Sequence, residues 1–282
     1  MTLSRATIFQ LFKYTVYVLL TMNVFWFFIE EHAAAALQFA NGLDLSRIIE
    51  AYAATIDTAA WVVLLLMFEL ETYVLDAQQQ NRIVTWSLHG LRVFCYAFIV
   101  YAFYGYIVNL TYLNSTTPLP GVSDLCALAG ADWSFAVNLD EYVMINAQNC
   151  STFSDALRFF QFDNMRAVVD AESLQAIRNL AWVDVINAGV WLIVVLVLEI
   201  DVRLQEHGRF EGWALRISNV SKFVLYSLLL IAAVYWGVNG DFVDFWDAFL
   251  WLVAFVFIEL NVFEWHQEAR EEAALDVPSA PI

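Results

Sequence analysis

Asp57-Thr-Ala-Ala-Trp61, then seven apolar residues, then Glu69-Leu-Glu71: this stretch occurs three times with one spacing, and the fold is read outward from it. Asn187-Ala-Gly-Val-Trp191 leads across seven apolar residues to Glu199-Ile-Asp201, and Asp247-Ala-Phe-Leu-Trp251 leads likewise to Glu259-Leu-Asn261. An apolar segment precedes each copy and opens on a cation and an aromatic: Lys13-x-x-x-Tyr17, Arg92-x-x-x-Tyr96 and Lys222-x-x-x-Tyr226. Asn109 and Asn239 fall seventeen residues after the last two cations. The chain is a two-helix unit written three times.

Composition sets the solvent. At 282 residues with 61% apolar, 16% aromatic and 15% charged side chains, the chain is too apolar for an ordinary soluble domain. Spans of the length a bilayer core requires are expected at 10–30, 53–75, 91–113, 179–202, 218–238 and 242–264. Nine of the thirteen Lys and Arg lie on the side of the N-terminus, and four (Arg47, Arg158, Arg166, Arg178) lie on the other. Positive charge is retained in the cytoplasm, so both termini are expected there, in a plasma or inner membrane. Each repeat then enters and returns the same way, giving parallel hairpins about a pseudo-threefold axis along the membrane normal. A secretory signal ending near Ala33–Ala36 is the rival reading of the first span. Its bulky aromatic run, Glu30 and Glu31, and the Lys13/Tyr17 pair favour a transmembrane helix.

The expected architecture is an all-α membrane protein of six helices in three tandem hairpins with an exoplasmic cap. Hairpin repeat 1 covers 1–76, and 77–113 is a cytoplasmic loop with the first helix of repeat 2. The cap follows at 114–178, the second helix of repeat 2 at 179–204, and a cytoplasmic loop with hairpin repeat 3 at 205–266. An acidic tail, 267–282, has a disordered composition. The helix after Asp44 is expected to begin outside the bilayer and run straight in. In the cap, the apolar spacing of Phe153, Leu157 and Phe160, and of Met165, Val168 and Val169, reads as short amphipathic helices. Cys126 and Cys150 both fall there, where an oxidising compartment pairs them, and closing such a loop stabilises the fold by about 3 kcal/mol. Cys95 reads as a small apolar filler within a span.

At 100° per residue, Asp57 and Trp61 lie about 40° apart on a helix, Glu71 about 40° to the other side of Asp57, and Glu69 about 80° beyond Trp61. Each second helix therefore carries a polar edge that has to face protein or water. An outer level of Asp57, Asn187 and Asp247 and an inner ring of Glu69, Glu199 and Glu259 are expected, with Glu71 and Asp201 beside the ring. Lys13, Arg92 and Lys222 stand at the same depth, so three ion pairs within the repeats are expected. Rings of carboxylates line cation pathways. Seventeen acids against four bases outside, and thirteen against nine inside, would draw cations to the outer end. Trp61, Trp191 and Trp251 read as packing, with sealing the alternative, and Tyr17, Tyr96 and Tyr226 as packing.

The functional expectation is a cation channel or transporter, with an inorganic cation and the lipid bilayer as partners. Alternatives are a non-conducting scaffold in a homo-oligomer or larger membrane complex, in which the ion pairs are staples, and a sensor binding a ligand at its cap. No metal-ligand spacing, serine elbow, phosphate loop or CxxC is present, so no enzyme, metal or cofactor is expected. A net charge of −17 excludes nucleic acid as a natural partner.

Overall fold

The computed structural model describes residues 5–38, 43–71, 82–139, 141–154, 158–163, 165–207, 212–239 and 242–255. Glu259, Asn261 and the acidic tail lie outside the described residues. Among the described residues, seven helices make up most of the structure: α1 (Arg5–Gln38), α2 (Ile48–Ala51), α3 (Ala53–Glu69), α4 (Arg82–Leu113), α5 (Ala171–Glu206), α6 (Trp213–Asn239) and α7 (242–255). Among the described residues, four segments are long and apolar enough to cross a membrane, namely Thr7–Leu37, Arg82–Leu113, Ala171–Asp201 and Trp213–Asn239. They make this an integral membrane protein. Their outward faces carry Phe25, Val93, Phe94 and Phe223, each more than half exposed, as a lipid-facing surface requires.

Helix α3 packs between α1 and α4, and α5 packs between α4 and α6. Asn23 of α1 donates to Asp247 of α7 at 2.8 Å, which joins these two helices and closes the ring. Trp61, Trp191 and Trp251, one each from α3, α5 and α7, meet inside it. Helices α1, α4 and α6 supply matching layers beside them: Leu20, Ile99 and Leu229 are 0%, 3% and 1% exposed, all seven residues after their repeat's cation. Cys95 is buried at the place that Val16 and Leu225 hold in the other copies, so the thiol is the small apolar filler its context implied.

The second helix does not run straight in from Asp44. Leu45–Arg47 is a 3₁₀ turn, α2 follows, and the chain breaks at Tyr52 (φ −138°, ψ 38°) before α3 begins. A break frees the first N–H groups of the new helix. Glu31 of α1 takes them: its carboxylate accepts from Ala54 N at 2.8 Å, Thr55 N at 3.0 Å and Thr55 Oγ1 at 2.6 Å. An anion at a helix N-terminus is also favoured by the helix dipole. On the other side, α4 approaches α2 so closely that a Cβ on Gly105 would stand 2.8 Å from the Ile49 carbonyl oxygen.

The cap contains a five-stranded sheet, with Phe160, Val168 and Val169 in strands where the apolar spacing suggested short helices; Phe153 ends a 3₁₀ turn, Cys150–Phe153, and Leu157 lies outside the described residues. In spatial order its strands are Thr117–Pro118 (β1), Phe159–Gln161 (β4), Ala167–Asp170 (β5), Ser134–Ala136 (β2) and Tyr142–Met144 (β3). All pairings are antiparallel except β2 with β5. Both faces of the sheet are covered, which fills both phases of the strand alternation with apolar residues and hides its period. Ala136, Phe162, Ala167 and Val169 pack toward Leu110 and Leu113 of α4 and Leu174 and Ile177 of α5. Phe135, Phe159 and Val168 pack the other way, against Leu125, Ile145 and Cys150. The expected Cys126–Cys150 disulfide is formed and clips this outer layer across a separation of 24 residues. Arg178 of α5 donates to the terminal carbonyl of α4, Leu113 O, at 3.0 Å, and to Thr116 Oγ1 at the start of the cap at 3.1 Å.

Candidate functional site

Between the cap and the tryptophans the bundle holds a partly open cavity of about 80 Å³, room for several water molecules. Trp61, Trp191, Trp251 and Phe255 are among its lining, with Asp57, Asn187 and Asp247 one helical turn nearer the cap. Glu31, Glu50, Asp184 and Asp244 add acids to it, and Leu139 of the cap also borders it. The outer polar level expected from the repeat is thus assembled around one space. Asp57 accepts a long hydrogen bond from Tyr106 Oη at 3.5 Å, and Asp247 accepts from Asn23. Among the described residues, no three His, Cys, Asp or Glu side chains are grouped to hold a metal ion.

The three indoles form the end of this space. Trp61 lies 5.9 Å from Trp191 and 6.1 Å from Trp251 between ring centroids, and Trp191 lies 4.6 Å from Phe255. All three tryptophans are buried. Leu65, Val194 and Ala254 continue the apolar packing away from the cap. Packing and sealing, posed as alternatives by the sequence, coincide in this geometry, because the residues that pack the axis also end the cavity.

The far end is built differently from the expected ring. Lys13 Nζ meets Glu69 Oε1 at 2.7 Å with both side chains buried, and Tyr14 and Tyr17 donate to the same carboxylate at 2.9 and 3.3 Å. This is the pair expected within repeat 1. Arg92, expected on Glu199, instead pairs with Glu71 of the preceding repeat at 2.6 Å. Lys222, expected on Glu259, reaches Asp201 of the preceding repeat at 3.3 Å, where Ser218 also donates. Glu199 is left half-exposed beside Arg203 of its own helix, at 3.0 Å. The reason is angular: residues two apart on a helix face nearly opposite ways, about 200° round. Glu69 therefore faces α1 and Glu71 faces α4. In the sequence of the third copy this second position is Asn261, an uncharged residue, and Lys13 pairs with Glu69.

Tyr96 and Tyr226 pack partly buried against the axial core, whereas Tyr17 is hydrogen-bonded to Glu69. Residues that the repeat did not single out also shape the cavity: Glu31 as a helix cap, Asn23 on Asp247, and Tyr106 and Trp236 from α4 and α6. A signal for two further acids was present, since Asp184 and Asp244 each stand three residues before the repeat's Asn187 and Asp247. Compared with known protein families, curated proteins and solved structures, the chain matches none.

Proposed function

We propose that this protein moves a cation along the axis of the bundle, as a transporter or gated channel held closed at its tryptophans and open toward its cap. In this reading six helices span the membrane as three tandem parallel hairpins. Helix α3, at 17 residues or about 26 Å, and α7 then serve as the short inner pair of spans beside α5. The termini lie in the cytoplasm of a plasma or inner membrane and the cap lies outside, following the Lys and Arg bias. The carrying observation is the cavity that ends at the tryptophans: Asp57 and Asp247 at its walls, three indoles at its end, and apolar packing beyond. Carboxylates beside a low-dielectric wall concentrate cations.

Glu69, Glu71 and Asp201 act in this reading as staples between helices, because each already faces a Lys or Arg. That same observation favours the second reading, a non-conducting scaffold, in which the outer cavity has no traffic. Charged thiol reagents separate the two. An Asn187→Cys variant is expected to react from the cap face with a membrane-impermeant cationic thiosulfonate at least about tenfold faster than with its anionic counterpart. Equal rates, or reaction only from the opposite face, would overturn the cation reading.

A further inference from the structure

Asn23 departs from the repeat. It stands ten residues after Lys13, and the same place in the other copies holds Ala102 and Ala232, both buried. An amide near the middle of a membrane span, 6% exposed, is costly unless its polar atoms are used. Its Nδ2 donates to Asp247 at 2.8 Å. The need for that donor is visible one turn further on. Fourteen residues after each cation stand Phe27, Tyr106 and Trp236, and all three line the cavity. Tyr106 of α4 donates to Asp57 on the neighbouring α3. Phe27 holds the corresponding place toward Asp247 and has nothing to donate. Asn23, four residues earlier on the same face of α1, supplies the missing hydrogen bond.

Holding the ring together does not explain these bonds. At the third such place Trp236 Nε1 and Asn187 Oδ1 are both buried and unpaired, yet α5 packs on α6. The bond is made where the repeat has an acid and not where it has Asn187. A neutral donor fixes a carboxylate without cancelling its charge. Among the described residues, no Lys or Arg lines the cavity, whereas Glu69, Glu71 and Asp201 each face one. The two acids are also held unequally, since 2.8 Å is an ordinary hydrogen bond and 3.5 Å is the edge of one. Resting on the cation reading above, we infer that Asn23 is the positioning residue of the site, fixing Asp247 as the principal cation ligand and leaving Asp57 the secondary one. A ligand held in one rotamer loses less freedom on binding, so the bond acts on affinity rather than on rate.

The test measures uptake of sodium and of rubidium into proteoliposomes of the full-length protein, with half-saturating concentration and maximal rate taken separately. Asn23→Ala, which copies the other two repeats, is expected to raise the half-saturating concentration about tenfold, with maximal rate and melting midpoint little changed. Tyr106→Phe is expected to raise it only about threefold, because the bond it removes is long. Asn23→Ala/Phe27→Tyr is expected to return it toward wild type, because a hydroxyl then stands where Tyr106 stands relative to Asp57. A purely structural Asn23 would lower maximal rate and melting midpoint together without moving half-saturation. That result overturns the inference, as does a double variant no better than Asn23→Ala. If Asn23→Ala melts well below wild type, Asn23→Gln decides, since it keeps the amide but displaces it by one methylene: a raised half-saturation supports the inference and an unchanged one overturns it. Absence of saturable uptake of either ion by wild type also overturns it. Cation-selective labelling of Asn187→Cys then leaves the cation reading standing, and equal labelling rates sink both.

Discussion

Glu69→Gln is expected to lower the melting midpoint of the detergent-solubilised protein by on the order of 10 °C, while Glu199→Gln leaves it nearly unchanged. The two carboxylates are repeat equivalents, so sequence alone assigns them equal weight. Their surroundings differ. Glu69 and Lys13 are both buried, at 6% and 2% exposure, and two tyrosine hydroxyls complete the carboxylate's bonding. Removing one partner of a buried pair leaves an uncompensated charge, typically a loss of about 3–5 kcal/mol. Glu199 and Arg203 are largely exposed and sit on one helix, where such a pair contributes only about 0.3–0.5 kcal/mol. The double variant Lys13→Met/Glu69→Leu is expected to recover most of the loss, since apolar replacement of both charges is often neutral. Equal melting of Glu69→Gln and Glu199→Gln would mean that the Lys13 pair does not hold α1 to α3.

Trp61→Ala is expected to raise the basal cation leak of proteoliposomes at least several-fold above wild type, although it removes no charge. Trp61 is the indole that contacts both of the others, at 5.9 and 6.1 Å. Deleting it costs about 3–5 kcal/mol of packing, so intact folding has to be checked by melting. The void it leaves adjoins a cavity lined by Asp57 and Asn187. A dry apolar void would stay empty, but one continuous with a polar cavity can hydrate. Water would then pass the level of the indoles. Trp26→Ala, at an exposed position on the outer face of α1, is the control expected to leave the leak unchanged. An unchanged leak in a folded Trp61→Ala protein would place the seal further from the cap.

The axial arrangement was legible because the repeat carries its own geometry. Asp57, Trp61 and their counterparts lie on one helical edge, and a polar edge in an apolar bundle has few places to face. The pairing at the far end was not legible from spacing, because the cation's depth fits either of two acids. The choice between Glu69 and Glu71 depends on which neighbour each faces, and hence on the order of helices round the ring. The break at Tyr52 was masked for a related reason: Glu31, the group that stabilises α3 after it, comes from another helix. In the cap, strands buried on both faces lost the alternation that identifies strands, and Met165, Val168 and Val169 imitated a helical period.

Cation flux into proteoliposomes tests the central claim most directly, with wild type measured beside an Asp57→Asn/Asp247→Asn variant whose melting midpoint matches it. Saturable flux in the wild type, reduced at least about tenfold in the variant, is the expected result, since two buried-face carboxylates are replaced by neutral isosteres of the same shape. No flux in either, or equal flux in both, would contradict a cation path along the axis and leave the bundle as a scaffold held by its staples.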